Sequence, residues 1–176
     1  ESGEHGDICT NLVSEIRPQL KGKACRVRSK DTKVRSGALS NRSNQVMKGM
    51  FSYPDIVVIC GEPEYHDQHR DIVLNPKVII EVLSESTEQF DRKDKFMRYR
   101  MLNPTLTDYI LVSQNAPVVE HFIRQEDNNW KLYTIVGLDK SFAIESIGCR
   151  LKLSEIYDLI EFSDEVLQEI KESHYN

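Results

Sequence analysis

The run Val78-Ile79-Ile80-Glu81-Val82-Leu83 constrains this chain more than any other stretch. Its residues are apolar without alternation, apart from one Glu, so the segment reads as a β-strand covered on both faces. Such a strand requires a layered domain with helices over a sheet. The surrounding patterns supply the other elements. Ile8, Leu12, Ile16 and Leu20 recur at helical spacing over 7–20, with Pro18 bending the last turn. Short strands are expected over 24–29 and 32–35, and another over 53–60 behind Pro54. The intervening stretch 36–52, rich in Ser, Asn and Gly, reads as a long loop, and 61–75 as a polar one. Ser86-x-x-Gln89 has the form of a capping box, and Phe90, Met97 and Met101 would mark the buried side of the helix that follows. Strands are expected over 108–113 and in a hairpin of 118–124 with 130–135. Segments 142–144 and 148–151 would extend that sheet, and amphipathic helices over 153–162 and 163–171 would close the chain. The order predicts an α/β domain with a mixed sheet.

The length of 176 residues suits a single domain over 1–176. The chain opens on Glu1 rather than Met, so a preceding piece is expected. No run of about 18 apolar residues exists, which excludes a membrane-spanning helix. Cys9, Cys25, Cys60 and Cys149 lie far apart without a CxxC pair, so four reduced, mostly buried thiols in a cytoplasmic protein are expected. The net charge of −5 conceals a basic block: from Arg17 to Lys48 there are ten Lys and Arg against one acid, Asp31. A second basic cluster comprises Arg92, Lys93, Lys95, Arg98 and Arg100. On an otherwise acidic body these blocks provide a local positive field for a polyanion.

Two acids are out of place. Asp55 follows Pro54 and opens an apolar strand, and Glu81 interrupts another. A carboxylate in such surroundings needs a cation or donors. If the strands are neighbours, both could face one hard divalent ion. A helix packing back from the end of the Glu81 strand would bring Lys95 level with Glu81, with Tyr99 one turn further on the same face. Pairing of Lys95 with Asp91 at i−4 is the plain alternative. Other constellations are weaker. His66-x-x-His69 reads as part of a polar loop, and His121 as a surface residue of an alternating strand. There is no Gly-rich phosphate loop and no supported Ser-His-Asp order. The Tyr and Phe residues read as core rather than as a stacking platform.

The strings YPDIVVIC, NPKVIIEVLSESTEQFDRKDKFMRYRML and DYILVSQ, in that order and spacing, resemble the Uma2 family. EHGDICTNLVSEI resembles its first helix, and SIGCRLKLSEIYDLIEF its close. That family, once a domain of unknown function, is abundant in cyanobacteria and belongs to the restriction-endonuclease-like PD-(D/E)xK superfamily. The resemblance implies an αβββαβ core with a mixed central sheet, plus a C-terminal hairpin and helices. It implies a metal-dependent endonuclease acting on nucleic acid, with DNA the favoured form. Asp55 and Glu81 would hold Mg2+ or Mn2+, completed by the Val82 backbone carbonyl. The superfamily lysine would stand two residues after Glu81, where this chain has Leu83. Lys95, in the string Asp91-x-x-x-Lys95-x-x-x-Tyr99, would replace it as the catalytic lysine. His5, Asp31 and Tyr99 would line the cleft. Lys30, Lys33, Arg35 and Arg92 would contact the nucleic acid backbone, and a homodimer is compatible with the superfamily. The competing reading is a decayed nuclease fold that binds DNA or protein without chemistry.

Overall fold

A computed structural model describes residues 2–37, 49–84 and 88–173. The expected capping box at Ser86 and most of the expected loop at 36–52 lie outside the described residues. Helix α1 (Gly3–Gln19) begins four residues earlier than the apolar pattern indicates, because Ser2 caps it and its hydroxyl accepts the His5 N–H at 3.2 Å. Its buried stripe is His5, Ile8, Cys9, Leu12 and Ile16. Strands follow as β1 (Cys25–Ser29), β2 (Lys33–Ser36), β3 (Met50–Ser52), β4 (Ile56–Cys60), β5 (Ile72–Val73) and β6 (Val78–Leu83). Both β3 and β5 fall where the sequence reads as loop.

Helix α2 occupies 88–102, with a π-helical turn at Asp91–Lys95 between its α-helical ends. Then come β7 (Asp108–Ser113), β8 (Val118–Arg124) and β9 (Trp130–Val136). The central sheet has the order β1-β4-β6-β7-β8-β9, and only the β6–β7 pair is parallel. A smaller sheet has the order β3-β2-β5. β10 (Ser141–Ile144) and β11 (Cys149–Lys152) form a hairpin of their own instead of extending the central sheet. Helix α3 (Leu153–Ile156) is one short turn rather than the expected helix to residue 162, and α4 (Asp164–Ser173) follows.

All six residues of β6 are buried, as its unbroken apolar run predicts. Even-numbered residues of β4 and β6 pack with Ile8, Leu12 and Ile16 of α1. Odd-numbered ones pack with Phe96 and Tyr99 of α2. Phe96 stacks on Tyr109 at 4.9 Å and also meets Phe122 and Trp130, which fastens α2 to the sheet. The inner face of α2 is thus Asp91, Lys95, Phe96 and Tyr99. Phe90, Met97 and Met101 are exposed, contrary to the sequence pattern.

Two further expectations are corrected. Cys25 and Cys60 stand directly opposite in the β1–β4 register and form a disulfide, while Cys9 and Cys149 are buried outside it. His121 is buried, with Nε2 2.7 Å from Asp108 Oδ1. Ser146 and Thr107 hydroxyls also donate to Asp108. Burial alone would raise the Asp108 pKa, but these three hydrogen bonds outweigh it and hold the carboxyl below its ordinary value. His121→Ala is expected to cost about 2–4 kcal/mol in urea unfolding, from a lost hydrogen bond to a buried charge and a cavity. A depressed carboxyl contributes stability above its unfolded pKa and loses it as pH falls through the folded one. The gap between wild type and variant should therefore shrink below about pH 4.

Candidate active site

Antiparallel pairing of β4 with β6 sets the start of one strand beside the end of the other. Ile56 pairs with Ile80, so Asp55, one residue before β4, comes opposite Glu81. Each carboxylate takes a backbone N–H from the other strand. Val82 N–H donates to Asp55 Oδ2 at 2.9 Å, and Asp55 N–H to Glu81 Oε2 at 3.3 Å. Pro54 carries no N–H, which frees the chain to leave the sheet there.

The two helical layers meet at this end of the sheet. From α2, Lys95 Nζ lies 2.8 Å from Glu81 Oε1 and 3.0 Å from Asp91 Oδ1. The π-turn places Asp91 and Lys95 together toward the sheet, and the Tyr109 hydroxyl anchors it by donating to the Asp91 carbonyl at 3.0 Å. From α1, His5 Nε2 lies 3.3 Å from Asp55 Oδ2. Glu81 and Lys95 are almost fully enclosed, and Asp55 is the most open member, with its side chain 13% exposed.

Electrostatics separates the two carboxyls. Burial dominates at Glu81 and pushes it up to about 8, although Lys95 pulls the other way. Burial also acts on Asp55, but bonds from His5 and Val82 and the charge of Lys95 bring it below the ordinary range. Burial disfavours the Lys95 cation, yet Glu81 and Asp91 overcome it and raise its pKa. Lys95 Nζ approaches Glu81 Oε1 outside hydrogen-bond alignment. Oε1 is one of the few buried side-chain oxygens among the described residues with no aligned partner.

Sequence reasoning placed Asp55, Glu81, Val82 and Lys95 together, and the structure brings them together. Both readings of Lys95 hold at once, since it meets Glu81 and Asp91. His5 reaches the cluster as well. Tyr99 does not line a cleft: it is fully buried beneath the site, its hydroxyl 2.7 Å from Ser52 Oγ. Asp31 is exposed at a left-handed turn (φ 49°) outside the cluster, although its neighbour Lys30 donates its N–H to the Asp55 carbonyl at 3.0 Å. Arg92 is tied to Glu88 and Glu120, and Arg35 is buried against His66, so neither is a free surface cation. Cys9 escaped the sequence reading. His5, Cys9 and Asp55 offer ligand atoms all within 4.8 Å of one another, and the i,i+4 spacing of His5 and Cys9 was the available signal.

A family model described as "Putative restriction endonuclease", Uma2, matches residues 1–154. The chain belongs to the Uma2 family. Two relatives come from Synechocystis. Uncharacterized protein sll1609 is 40% identical over 87 residues, covering 49% of this chain and 49% of that protein. Uncharacterized protein slr1290 is 28% identical over 161 residues, covering 92% of this chain and 78% of that protein. The matched part thus spans about half of the first relative's length. A crystal structure from Anabaena variabilis, described as a "putative nuclease belonging to DUF820", superposes with a TM-score of 0.70 at 15% identity, over 92% of this chain and 84% of that one. The fold is therefore that of a nuclease-like α/β protein, as the Uma2 resemblance implied.

Proposed function

We propose that this Uma2 domain, spanning 1–176, is a metal-dependent endonuclease that hydrolyses phosphodiester bonds of DNA. The observation that carries the reading is the meeting of Asp55, Glu81 and Lys95 at one end of the sheet in a family of this description. The donor set fits a hard divalent ion such as Mg2+ or Mn2+. Asp55 and Glu81 present carboxylate oxygens, Oε1 lacks an aligned donor, and the Val82 carbonyl would complete the set. Such an ion, when bound, polarises a phosphate and acidifies a water.

The protein's own groups have distinct tasks. His5 and Val82 N–H keep Asp55 ionised and oriented. Asp91 holds Lys95 as a cation at Glu81, where its ammonium can offset charge developing on a phosphoryl oxygen. Lys30 and Lys33 stand on the basic flank for backbone contacts. We place the enzyme in the cytoplasm, and a homodimer is compatible with this reading.

The test is incubation of the purified protein with supercoiled plasmid. Nicking is expected with Mg2+ or Mn2+ and none with chelator, and equal plasmid integrity in both would refute the enzyme. Because Glu81 holds a proton up to about 8, ion binding should displace it. Metal affinity read by calorimetry should rise about tenfold per pH unit between pH 6 and 8, then level off. A flat profile would mean that Lys95 already keeps Glu81 ionised.

A further inference from the structure

We infer that Phe51 and Tyr53 form a stacking edge that receives unpaired bases beside the carboxylates, so that the substrate is single-stranded or locally unwound DNA rather than closed duplex. The inference rests on the endonuclease reading and names its substrate class.

The edge follows from strand alternation. On β3, Met50 packs toward the core, and Ser52 is buried and bonded to the Tyr99 hydroxyl. Phe51 and, just past the strand, Tyr53 point the other way and are 50% and 57% exposed. Single exposed aromatics are ordinary, but these two are adjacent on one face of an edge strand, and each has a cation across from it. Arg35 pairs with Phe51 in the β2–β3 register, its guanidinium 5.8 Å from the ring centre. Two residues along each strand, Lys33 stands across from Tyr53 with Nζ 5.1 Å from that ring. His66 meets the edge of Phe51 at 5.8 Å and hydrogen-bonds Arg35, which fixes the pair.

Rings backed by cations and still half open suit flat bases joined by phosphates. The charge agrees: residues 25–35 carry five bases and one acid. The location agrees as well. Tyr53 precedes Asp55 by two residues, a reach of at most about 7 Å along the chain. Ser52, between the two rings, is tied to the α2 residue one turn beyond Lys95. A base stacked on Tyr53 would therefore bring its own phosphate toward the carboxylates. A closed duplex hides its base faces and cannot use the rings.

The test is fluorescence anisotropy of the whole chain, in chelator, with a labelled thymidine oligonucleotide of about fifteen nucleotides and a duplex of equal length. The wild type should bind the single strand at least about tenfold more tightly. Phe51→Ala with Tyr53→Ala should weaken single-strand binding about 25-fold or more with duplex binding little changed. Phe51→Trp should keep the affinity and show quenched tryptophan emission. The salt dependence should keep its slope in the alanine variant and lose about one unit in Lys33→Ala. Equal affinity for both DNA forms, or a double variant that binds like wild type, overturns the inference. A double variant that changes only the oligomeric state in light scattering also overturns it, by assigning the edge to protein contact. Metal-dependent duplex cleavage that is untouched by the double variant sinks this inference and spares the nuclease. Ring-dependent single-strand binding without any cleavage does the reverse.

Discussion

Asp55→Ala and Glu81→Gln should each lower metal-dependent DNA cleavage by at least about 100-fold while the fold survives. Several kcal/mol of charge stabilisation depends on the ion these oxygens would hold, and each 1.36 kcal/mol is about tenfold in rate. The two variants differ in what they do to stability. Glu81 is enclosed and pushed up to about 8, so its neutral form predominates at pH 7, and the amide copies that form. Its melting temperature should stay within a few degrees of wild type. Asp55→Ala instead strips partners from His5 and from Val82 N–H, at about 1–3 kcal/mol. That loss should shrink as pH falls through the depressed pKa of Asp55, where the wild-type carboxyl also becomes neutral. Initial nicking rates, with circular dichroism melts from pH 3 to 8, check both halves. Wild-type rates in both variants would remove the metal site from this pair.

The sheet and its two helical layers were legible because apolar runs report burial directly. Val78 to Leu83 could hardly be anything but a covered strand, and Glu81 stood out against it. The buried face of α2 was misread for the reason that makes it interesting. Its inward residues include Asp91 and Lys95, which any apolar count assigns to solvent, so Met97 and Met101 looked like the inner stripe. His121 was misread similarly, since a strand pattern does not reveal the Asp108 that satisfies it from a neighbouring strand. The Cys25–Cys60 link depends on the β1–β4 register, a long-range pairing that cysteine spacing does not encode. Phe51 and Tyr53 were counted as core because composition places aromatics inside, and only the pairing of β3 with β2 shows which way they point. Local chemistry was readable from the residues, whereas partners across strands were not.

Lys95→Met should separate catalysis from ion binding. The substitution keeps most of the side chain's volume and removes the cation that Lys95 brings to both Glu81 and Asp91. Cleavage should drop about 100- to 1,000-fold, as when a group that stabilises developing charge is lost. At alkaline pH, once Glu81 is ionised in both proteins, affinity for Mg2+ or Mn2+ should rise instead, because an ammonium beside the carboxylates repels an incoming cation. Stability should fall by about 3–5 kcal/mol at alkaline pH, where two enclosed carboxylates are left without a counter-charge. Glu81 sets the pH dependence of that loss. Its folded pKa already lies above its unfolded value and rises further without the lysine, so its contribution is intact at low pH and is lost as pH climbs through the folded pKa. The variant should therefore approach wild-type stability near pH 5 and lag most above pH 8. Urea titrations at both pH values, metal calorimetry and nicking rates measure the three effects separately. A fall in metal affinity together with the rate would make Lys95 a structural support of the carboxylates and take away its role at the phosphate.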